Sequence, residues 1–244
     1  MAEPTSLQTL IASCLGALAA TRRLSPRQWQ VADHIRDCRT PAMGGELMRC
    51  DACGGEQAVY RSCRDRHCPR CQRRQSQAWC ERQRAALLPL PYHHLVFTLP
   101  DVLNAWVEVH PREVYGLLFE SVWATLSAFA RNRLDGQLGM TAVLHTWGQS
   151  LTRHVHLHCL VPGGALGADG RRHPAQTQGL FPVRALSRHV RGALVSRLRA
   201  AAAGGRQERL SGPEEVDRVL DALMARDWVV FSKPCLARAE TVVD

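Results

Sequence analysis

Three histidines, His154, His156 and His158, alternate with the apolar residues Val155 and Leu157. Alternation is the period of a β-strand, so the three imidazoles point to one face of a sheet while the apolar side chains point to the other. Histidines at alternate strand positions, where apolar side chains could pack, commonly bind a metal ion, because neutral imidazole is a good metal ligand. The pattern therefore predicts a strand with a metal-binding face. A solvated strand face with three exposed histidines is the alternative.

The hydropathy pattern of the rest of the chain predicts strands scattered among helices. Helices are predicted over residues 7–20, 25–38, 72–88, 111–134, 182–202 and 211–226, and strands over 93–99, 140–146, 155–161 and 228–231. A central hairpin, formed by the second and third of these strands, favours an α+β fold with an antiparallel sheet covered by helices on one face. We expect a helical and zinc-binding domain over residues 1–88 and a second domain over residues 89–244.

The chain lacks targeting and membrane segments in its sequence pattern and is rich in cysteine. No apolar run approaches the roughly 20 residues of a membrane span, and the first residues lack the basic and apolar segments of a signal peptide. We therefore expect a cytosolic protein. Ten cysteines in such a protein favour metal binding over disulfides, because the compartment keeps thiols reduced.

Two Cys-x-x-Cys motifs, separated by fourteen residues, have the spacing of a zinc ribbon. The predicted structural zinc ligands are Cys50, Cys53, Cys68 and Cys71. Zinc would substitute for a hydrophobic core that so short a segment cannot form.

Other donors lie near these motifs. Cys63 and His67 are close enough in sequence for either to replace one of the four ligands. The remaining cysteines, Cys38 among them, are isolated in sequence and are predicted to pack as small apolar side chains.

Positive charge is concentrated beside the cysteine motifs. The formal net charge is +9, and nearly all of the basic residues are arginines. The predicted DNA-contacting residues are Arg61, Arg64, Arg66, Arg70, Arg73 and Arg74. Clustered guanidinium groups suit phosphate, so the segment predicts a nucleic-acid partner. A solvated charged surface is the alternative.

Five segments together resemble a known family. They are Arg64–Gln72, Tyr92–Pro100, Trp147–Gln149, His154–Gly164 and Trp228–Pro234. In order along the chain they are similar to rolling-circle insertion-sequence transposases of the IS91 type. The resemblance implies an N-terminal zinc-binding domain followed by a two-tyrosine HUH nuclease domain with a ferredoxin-like or RRM-like sheet.

The resemblance also implies a metal centre. His156 and His158 would be the HUH pair, holding Mg²⁺ or Mn²⁺ against the scissile phosphate of single-stranded DNA. Either His145 or Gln149 would be the third ligand, and the length of the hairpin turn decides whether His145 shares the face of His156. His154 is expected to support a ligand or to contact phosphate.

A tyrosine is the nucleophile in this family, and it follows the segment that matches Trp228–Pro234. The chain has three tyrosines, Tyr60, Tyr92 and Tyr115, and none of them forms the expected pair or follows that segment. We therefore expect a chain that is truncated before its nucleophile and that binds DNA and metal without forming the covalent intermediate.

Two other functions remain open at this stage. One is a non-enzymatic zinc-ribbon protein that binds nucleic acid. The other is a metal hydrolase in which the histidines hold a catalytic zinc ion and water attacks directly.

Overall fold

The computed structural model describes residues 6–148, 150, 152–175, 179–204 and 213–234. The chain divides into two compact units, Met1–Ala86 and Leu87–Asp244. The functions expected of the two domains stay predictions. Across the part of the chain that the structure describes, no helix combines the length and apolar character needed to span a membrane.

The first unit contains three helices and one hairpin. Its elements are α1 (Leu7–Thr21), α2 (Pro26–Asp37), β1 (Gly45–Arg49), β2 (Glu56–Tyr60) and α3 (Pro69–Ala85). β1 and β2 pair in antiparallel fashion, with Gly45 opposite Tyr60 and Arg49 opposite Glu56.

α2 begins where its sequence predicts. The side chain of Ser25 accepts a hydrogen bond from the backbone N–H of Gln28, and the side chain of Gln28 accepts one from the N–H of Ser25. This capping box satisfies two backbone donors at the start of the helix, and Pro26 supplies a backbone that is already helical.

The hydrophobic core of the first unit is very small. Its buried apolar residues are Leu15, Ile35, Cys38 and Cys68. Every residue of β1 and β2 is exposed. A two-stranded hairpin with no buried face is only marginally stable by itself, so this unit needs another source of stability.

The second unit is built around a four-stranded antiparallel sheet. Its elements are β3 (Tyr92–Thr98), α4 (Asn104–Val109), α5 (Pro111–Leu134), β4 (Thr141–Trp147), β5 (Arg153–Pro162), β6 (Gly164–Leu166), β7 (Arg172–Pro174), α6 (Val183–Ala203), α7 (Pro213–Ala225) and β8 (Val230–Pro234). The sheet order is β4-β5-β3-β8, and β6 and β7 form a separate small ladder. The predicted α+β class is confirmed.

One face of this sheet forms the main hydrophobic core. Leu95 and Phe97 of β3 and Leu157 of β5 are buried there, together with residues of α5, α6 and α7 such as Leu118 and Leu194. Val122, Leu126 and Phe129, which recur at helical spacing along α5, are buried as well. The strands are therefore fixed from behind by a large core.

The opposite side of the sheet we call the open face. Strand pairing places His145 beside His156, and Val143 beside His158. Farther along the same face, on the edge strand β8, Phe231 is 51% exposed and Lys233, the only lysine of the chain, lies opposite His94. The histidines and Lys233, which could bind a metal ion or a ligand, thus lie on the face of the sheet opposite the hydrophobic core.

Candidate metal centres

Four thiols converge in the first unit. The sulfur atoms of Cys38, Cys63, Cys68 and Cys71 all lie within 4.8 Å of one another. Cys71 Sγ is 3.5 Å from Cys38 Sγ and 3.6 Å from Cys63 Sγ. Thiolates about 2.3 Å from a tetrahedral zinc ion would be separated by about 3.8 Å, so the cluster fits zinc with little adjustment.

Two helix ends form this cluster. Cys38 is the C-terminal capping residue of α2, Cys68 is the N-terminal capping residue of α3, and Cys71 lies in the first turn of α3. Burial by itself raises the pKa of Cys71, but hydrogen bonds from the Cys38 and Cys63 thiols outweigh it and lower the pKa to about 7. Bound zinc would hold all four groups as thiolates.

This set differs from the predicted one. Cys68 and Cys71 belong to it, but Cys50 and Cys53 are exposed at the tip of the β1–β2 hairpin and lie outside it. Cys38, predicted to pack as a small apolar side chain, is instead one of the four. Sequence spacing fails here because the hairpin carries Cys50 and Cys53 outward, whereas the end of α2 brings Cys38 to the start of α3.

Of the two alternative donors, Cys63 joins the cluster and His67 does not. His67 is exposed, and its side chain accepts a hydrogen bond from Arg66. The hairpin thiols form a separate local arrangement, in which backbone N–H groups of Cys53 and Ala52 donate to the Cys50 sulfur and lower its pKa.

A buried carboxylate holds the loop that carries Cys63 and Cys68. Asp65 accepts hydrogen bonds from the backbone N–H of His67 and from His34 Nδ1, each at 2.9 Å, and it lies 3.6 Å from the guanidinium of Arg27. The His67 bond, followed by the His34 bond, lowers the pKa of Asp65. Asp65 was not among the predicted site residues, although it lies within one of the motifs that carry the resemblance.

The predicted DNA-contacting arginines do not share one environment. Arg61, Arg64, Arg66, Arg73 and Arg74 are exposed. Arg70 is exposed as well, but it donates hydrogen bonds to the Gln8 side chain at 2.7 Å and to the Cys38 carbonyl at 3.0 Å. Arg70 therefore ties α1 to the end of α2, and the DNA contact of the other five stays a prediction.

A second cluster lies on the open face of the sheet. His145, His156 and His158 each offer a nitrogen within 4.8 Å of the other two. Their ring centroids are 4.3 Å apart for His145 and His158, 4.8 Å for His156 and His158, and 5.3 Å for His145 and His156. Both members of the predicted histidine pair therefore share one site with His145.

The hydrogen bonds of the pair leave one nitrogen of each ring available. His156 Nδ1 lies 2.8 Å from the backbone carbonyl of His154, so it carries the proton and donates, which leaves Nε2 with a lone pair. His158 Nε2 is buried and has no hydrogen-bond partner among the described residues. A metal ion would satisfy that buried atom.

Electrostatics keeps His158 neutral. Burial, followed by the neighbouring His145, His156 and His94, lowers its pKa to about 4. Neutral imidazole is the form that binds metal, so the ring is ready to act as a ligand near neutral pH.

A fourth histidine contacts this cluster from the next strand. His94 Nε2 lies 2.7 Å from His158 Nδ1, and the two rings meet edge to edge, with their centroids 5.0 Å apart and their planes 14° apart. His94 was predicted only as a residue of a strand, without a role in the site. Strand alternation on β3 is the signal that could have placed it on the open face.

A β-bulge decides which way His145 points. The register is regular from Thr141 to His145, which lies opposite His156, but Trp147 lies opposite Arg153, so β5 has one extra residue between the two pairs. Gln149, the other proposed third ligand, lies outside the described residues. The choice of third ligand stays a prediction, and the geometry favours His145.

The remaining candidates do not belong to the group of three histidines. His154 is exposed and outside the group, with its ring 5.0 Å from that of His156. Tyr92 is buried and its hydroxyl accepts the backbone N–H of Leu88. Tyr115 packs against the main core, where burial raises its pKa. Tyr60 is on β2, in the first unit.

Two family models match this chain. Residues 10–99 match a family described as "Transposase zinc-binding domain", specific to the IS91 type, and residues 139–244 match one described as "Putative transposase". The chain belongs to the IS91-type transposases. Membership in this family, together with the four-thiol cluster, supports a structural zinc site in the first unit of the transposase chain.

Two curated relatives of the transposase are informative. The chain is 43% identical over 230 residues to "Putative transposase y4qJ" of Sinorhizobium fredii, an alignment that covers 91% of the chain and 58% of the relative. It is 32% identical over 136 residues to the transposase for insertion sequence element IS801 of Pseudomonas savastanoi pv. phaseolicola, covering 54% of the chain and 32% of the relative. The transposase chain thus spans little more than half of one relative and about a third of the other. No solved structure matches it.

Proposed function

We propose that this chain supplies the metal-binding face of a DNA strand-transfer site used in transposition. The observation that carries the proposal is the convergence of His145, His156 and His158 on the open face, with a buried and unpartnered Nε2 on His158. The matches to transposases supply the reaction class. Single-stranded DNA from the ends of a mobile element is the proposed substrate.

The three imidazoles would hold one divalent ion. Such an ion, when bound, polarises a phosphate oxygen and stabilises the charge that develops during phosphoryl transfer. The donor set consists of nitrogen alone, and Mg²⁺ prefers oxygen ligands, so we propose Mn²⁺ as the better fit. The protein contributes two rings on β5 that are already held by hydrogen bonds, His156 to the His154 carbonyl and His158 to His94.

The two units would divide the work. The exposed arginines beside the thiol cluster, such as Arg73 and Arg74 on α3, suit contacts with the DNA backbone. The nucleophile would be a tyrosine outside the three that the sequence contains, because Tyr92 and Tyr115 are held by other contacts and Tyr60 belongs to the zinc unit. We therefore propose that this chain binds DNA and metal but does not form the covalent intermediate.

The test is to incubate the chain with labelled single-stranded DNA carrying the end of its element, in the presence of Mn²⁺. We expect DNA binding without a denaturation-resistant adduct, and an adduct once the chain is extended to the length of its relatives. His156→Ala with His158→Ala should abolish Mn²⁺ binding and leave the zinc content unchanged. If the double variant binds as much metal as the parent, the histidine site is wrong and a DNA-binding zinc protein without catalysis is the better account.

A hydrolase with a catalytic zinc ion is the second candidate. A set of three histidines also occurs at hydrolytic zinc sites, where water occupies the open position. This function predicts turnover of simple phosphodiesters with zinc present and no protein–DNA adduct in any form of the chain. An adduct in the extended chain would exclude it.

A further inference from the structure

A hydrogen bond between two imidazoles is the basis of this inference, which rests on the metal site proposed above. We infer that His94 is a positioning residue for His158, in that it accepts the Nδ1–H of that ring and so aims its Nε2 at the metal ion. The atoms concerned, His94 Nε2 and His158 Nδ1, are 2.7 Å apart.

The position of the proton between His94 and His158 follows from the requirement that a metal-binding nitrogen have a free lone pair. One of the two facing nitrogens must carry the shared proton, since a neutral imidazole has one donor and one acceptor. If His158 binds an ion through Nε2, that atom needs its lone pair, so the proton sits on Nδ1 and His94 Nε2 accepts it. The His158 Nε2 atom is the one left buried without a partner, which agrees with this assignment.

The two ligands of β5 are therefore oriented by different means. His156 donates to the backbone carbonyl of His154, two residues away on its own strand. No such carbonyl is recorded for His158 in the described part of the chain, and its acceptor is a side chain on β3. Ligand histidines commonly donate their second N–H to an outer partner, and losing that partner weakens metal binding.

His94 is well placed to act as a fixed acceptor. It lies on β3, which is hydrogen-bonded to β5 on one side and to β8 on the other. Its flanking residue Leu95 is fully buried in the main core, so the backbone that carries the ring is held in place. The two rings are nearly parallel, with their planes 14° apart and their facing nitrogens 2.7 Å apart, so the hydrogen bond joins them edge to edge and limits rotation of His158.

His94 itself lies outside the set of ligands. It does not belong to the group formed by His145, His156 and His158. The nitrogen that approaches the cluster is engaged with His158 Nδ1, on the side of that ring away from its free Nε2. Its influence on the metal therefore passes through His158.

Two variants separate hydrogen bonding from packing. His94→Phe keeps an aromatic ring that fills the same space but removes the acceptor, whereas His94→Gln keeps an acceptor near the position of Nε2 and removes the ring. We expect His94→Phe to weaken Mn²⁺ binding about 10- to 100-fold, and His94→Gln to stay within about threefold of the parent. Electron paramagnetic resonance of free Mn²⁺ measures the affinity, with zinc content and thermal melting as controls for folding.

A second measurement observes the position of the proton directly. Nitrogen-15 NMR of the imidazoles in the metal-free parent chain reports the tautomer, and we expect His158 to carry its proton on Nδ1. In His94→Phe the proton should shift toward Nε2, a change that a purely structural role for His94 would not produce.

The outcomes distinguish this inference from the proposed function. If the parent binds Mn²⁺ no better than His156→Ala, the metal site fails and the inference fails with it. If the parent binds Mn²⁺ well but His94→Phe binds equally well, or His94→Gln is as weak as His94→Phe, only the role of His94 is wrong. An Nε2–H tautomer of His158 in the parent would overturn it as well.

Discussion

The thiol cluster and the histidine cluster differ in what surrounds them. The four thiols are accompanied by a core of little more than Ile35, and the neighbouring hairpin is exposed throughout. The three histidines lie on a sheet whose other face is packed against α5 and α6, with Leu95 and Leu157 fully buried.

The two centres therefore differ in how metal binding and folding depend on each other. In the first unit a bound ion would replace the missing core, so folding would depend on the metal. In the second unit apolar burial stabilises the strands, so the metal-binding face forms before any ion binds. Disturbing each centre should therefore have different effects.

Loss of a zinc ligand should have the largest effect. Cys63→Ser should release the structural zinc and remove stabilisation on the order of 10 kcal/mol from the first unit. Hydrogen exchange across residues 38–71 should become fast, and zinc content should fall toward zero. Cys50→Ser is the matched control and should retain the zinc, because Cys50 lies outside the four-thiol cluster. Equal loss of zinc in Cys63→Ser and Cys50→Ser would contradict the four-thiol cluster as the zinc site and favour a site that includes Cys50.

Creating a cavity in the core beneath the histidine strand should have the next largest effect on stability. Leu157→Ala should lower the free energy of unfolding of the second unit by about 2–5 kcal/mol, because Leu157 is fully buried between two ligand positions. Zinc content should not change. Val143→Ala, on the open face of the same sheet, should cost less than about 0.5 kcal/mol in the same denaturation experiment. A comparable cost for the two variants would mean that the open face is also part of a core.

Removing the charge of Asp65 should have a smaller effect, confined to the first unit. In Asp65→Asn the contacts with His34 and Arg27 lose their ionic character inside a buried site, and we expect a loss of about 1–3 kcal/mol. Asp33→Asn is the control, since its ion pair with Arg36 is exposed and should contribute little. The zinc that resists chelation and the melting temperature are measured for both variants. Equal values for Asp65→Asn and Asp33→Asn would show that the Asp65 network is dispensable.

The smallest effect concerns pH. His93 is buried, and burial lowers its pKa below the ordinary value of about 6.5. The unfolded chain then binds more protons than the folded one, so stability falls as the pH drops below about 6.5. His93→Leu should flatten that dependence by at most about 1.4 kcal/mol per pH unit, the slope for one proton. Denaturation at about pH 7 and about pH 5 tests it, and identical slopes for parent and variant would contradict it.

Much of the fold could be predicted because periodicity reports burial directly. α5 spans Pro111–Leu134 as predicted, since its buried stripe and its proline start are both local features. The membership of the thiol cluster could not be predicted, because spacing cannot reveal that Cys38, far earlier in the chain, returns beside Cys68. The same limit applies to His94, whose partner is 64 residues away.

The orientation of His145 illustrates a different limit. An argument from turn length assumes a regular ladder, in which each added residue flips the face. Continuing the Trp147–Arg153 pairing without a bulge would set His145 opposite Val155, which is buried in the core. The extra residue of β5 moves His145 opposite His156 instead. The sequence pattern thus identified the histidine strand, but the partner of that strand depended on an irregularity that the pattern does not contain.

The lone lysine of this chain has a practical consequence. Lys233 is exposed on β8 and shares the open face with the histidines. Among side chains it is the only primary amine, so an amine-reactive dye would mark one known position on that face and otherwise only the chain terminus. The protein thus carries a natural attachment point for a fluorophore, and occupation of the face by a nucleic acid or by a protein segment can be followed as a change in its emission without any engineered residue.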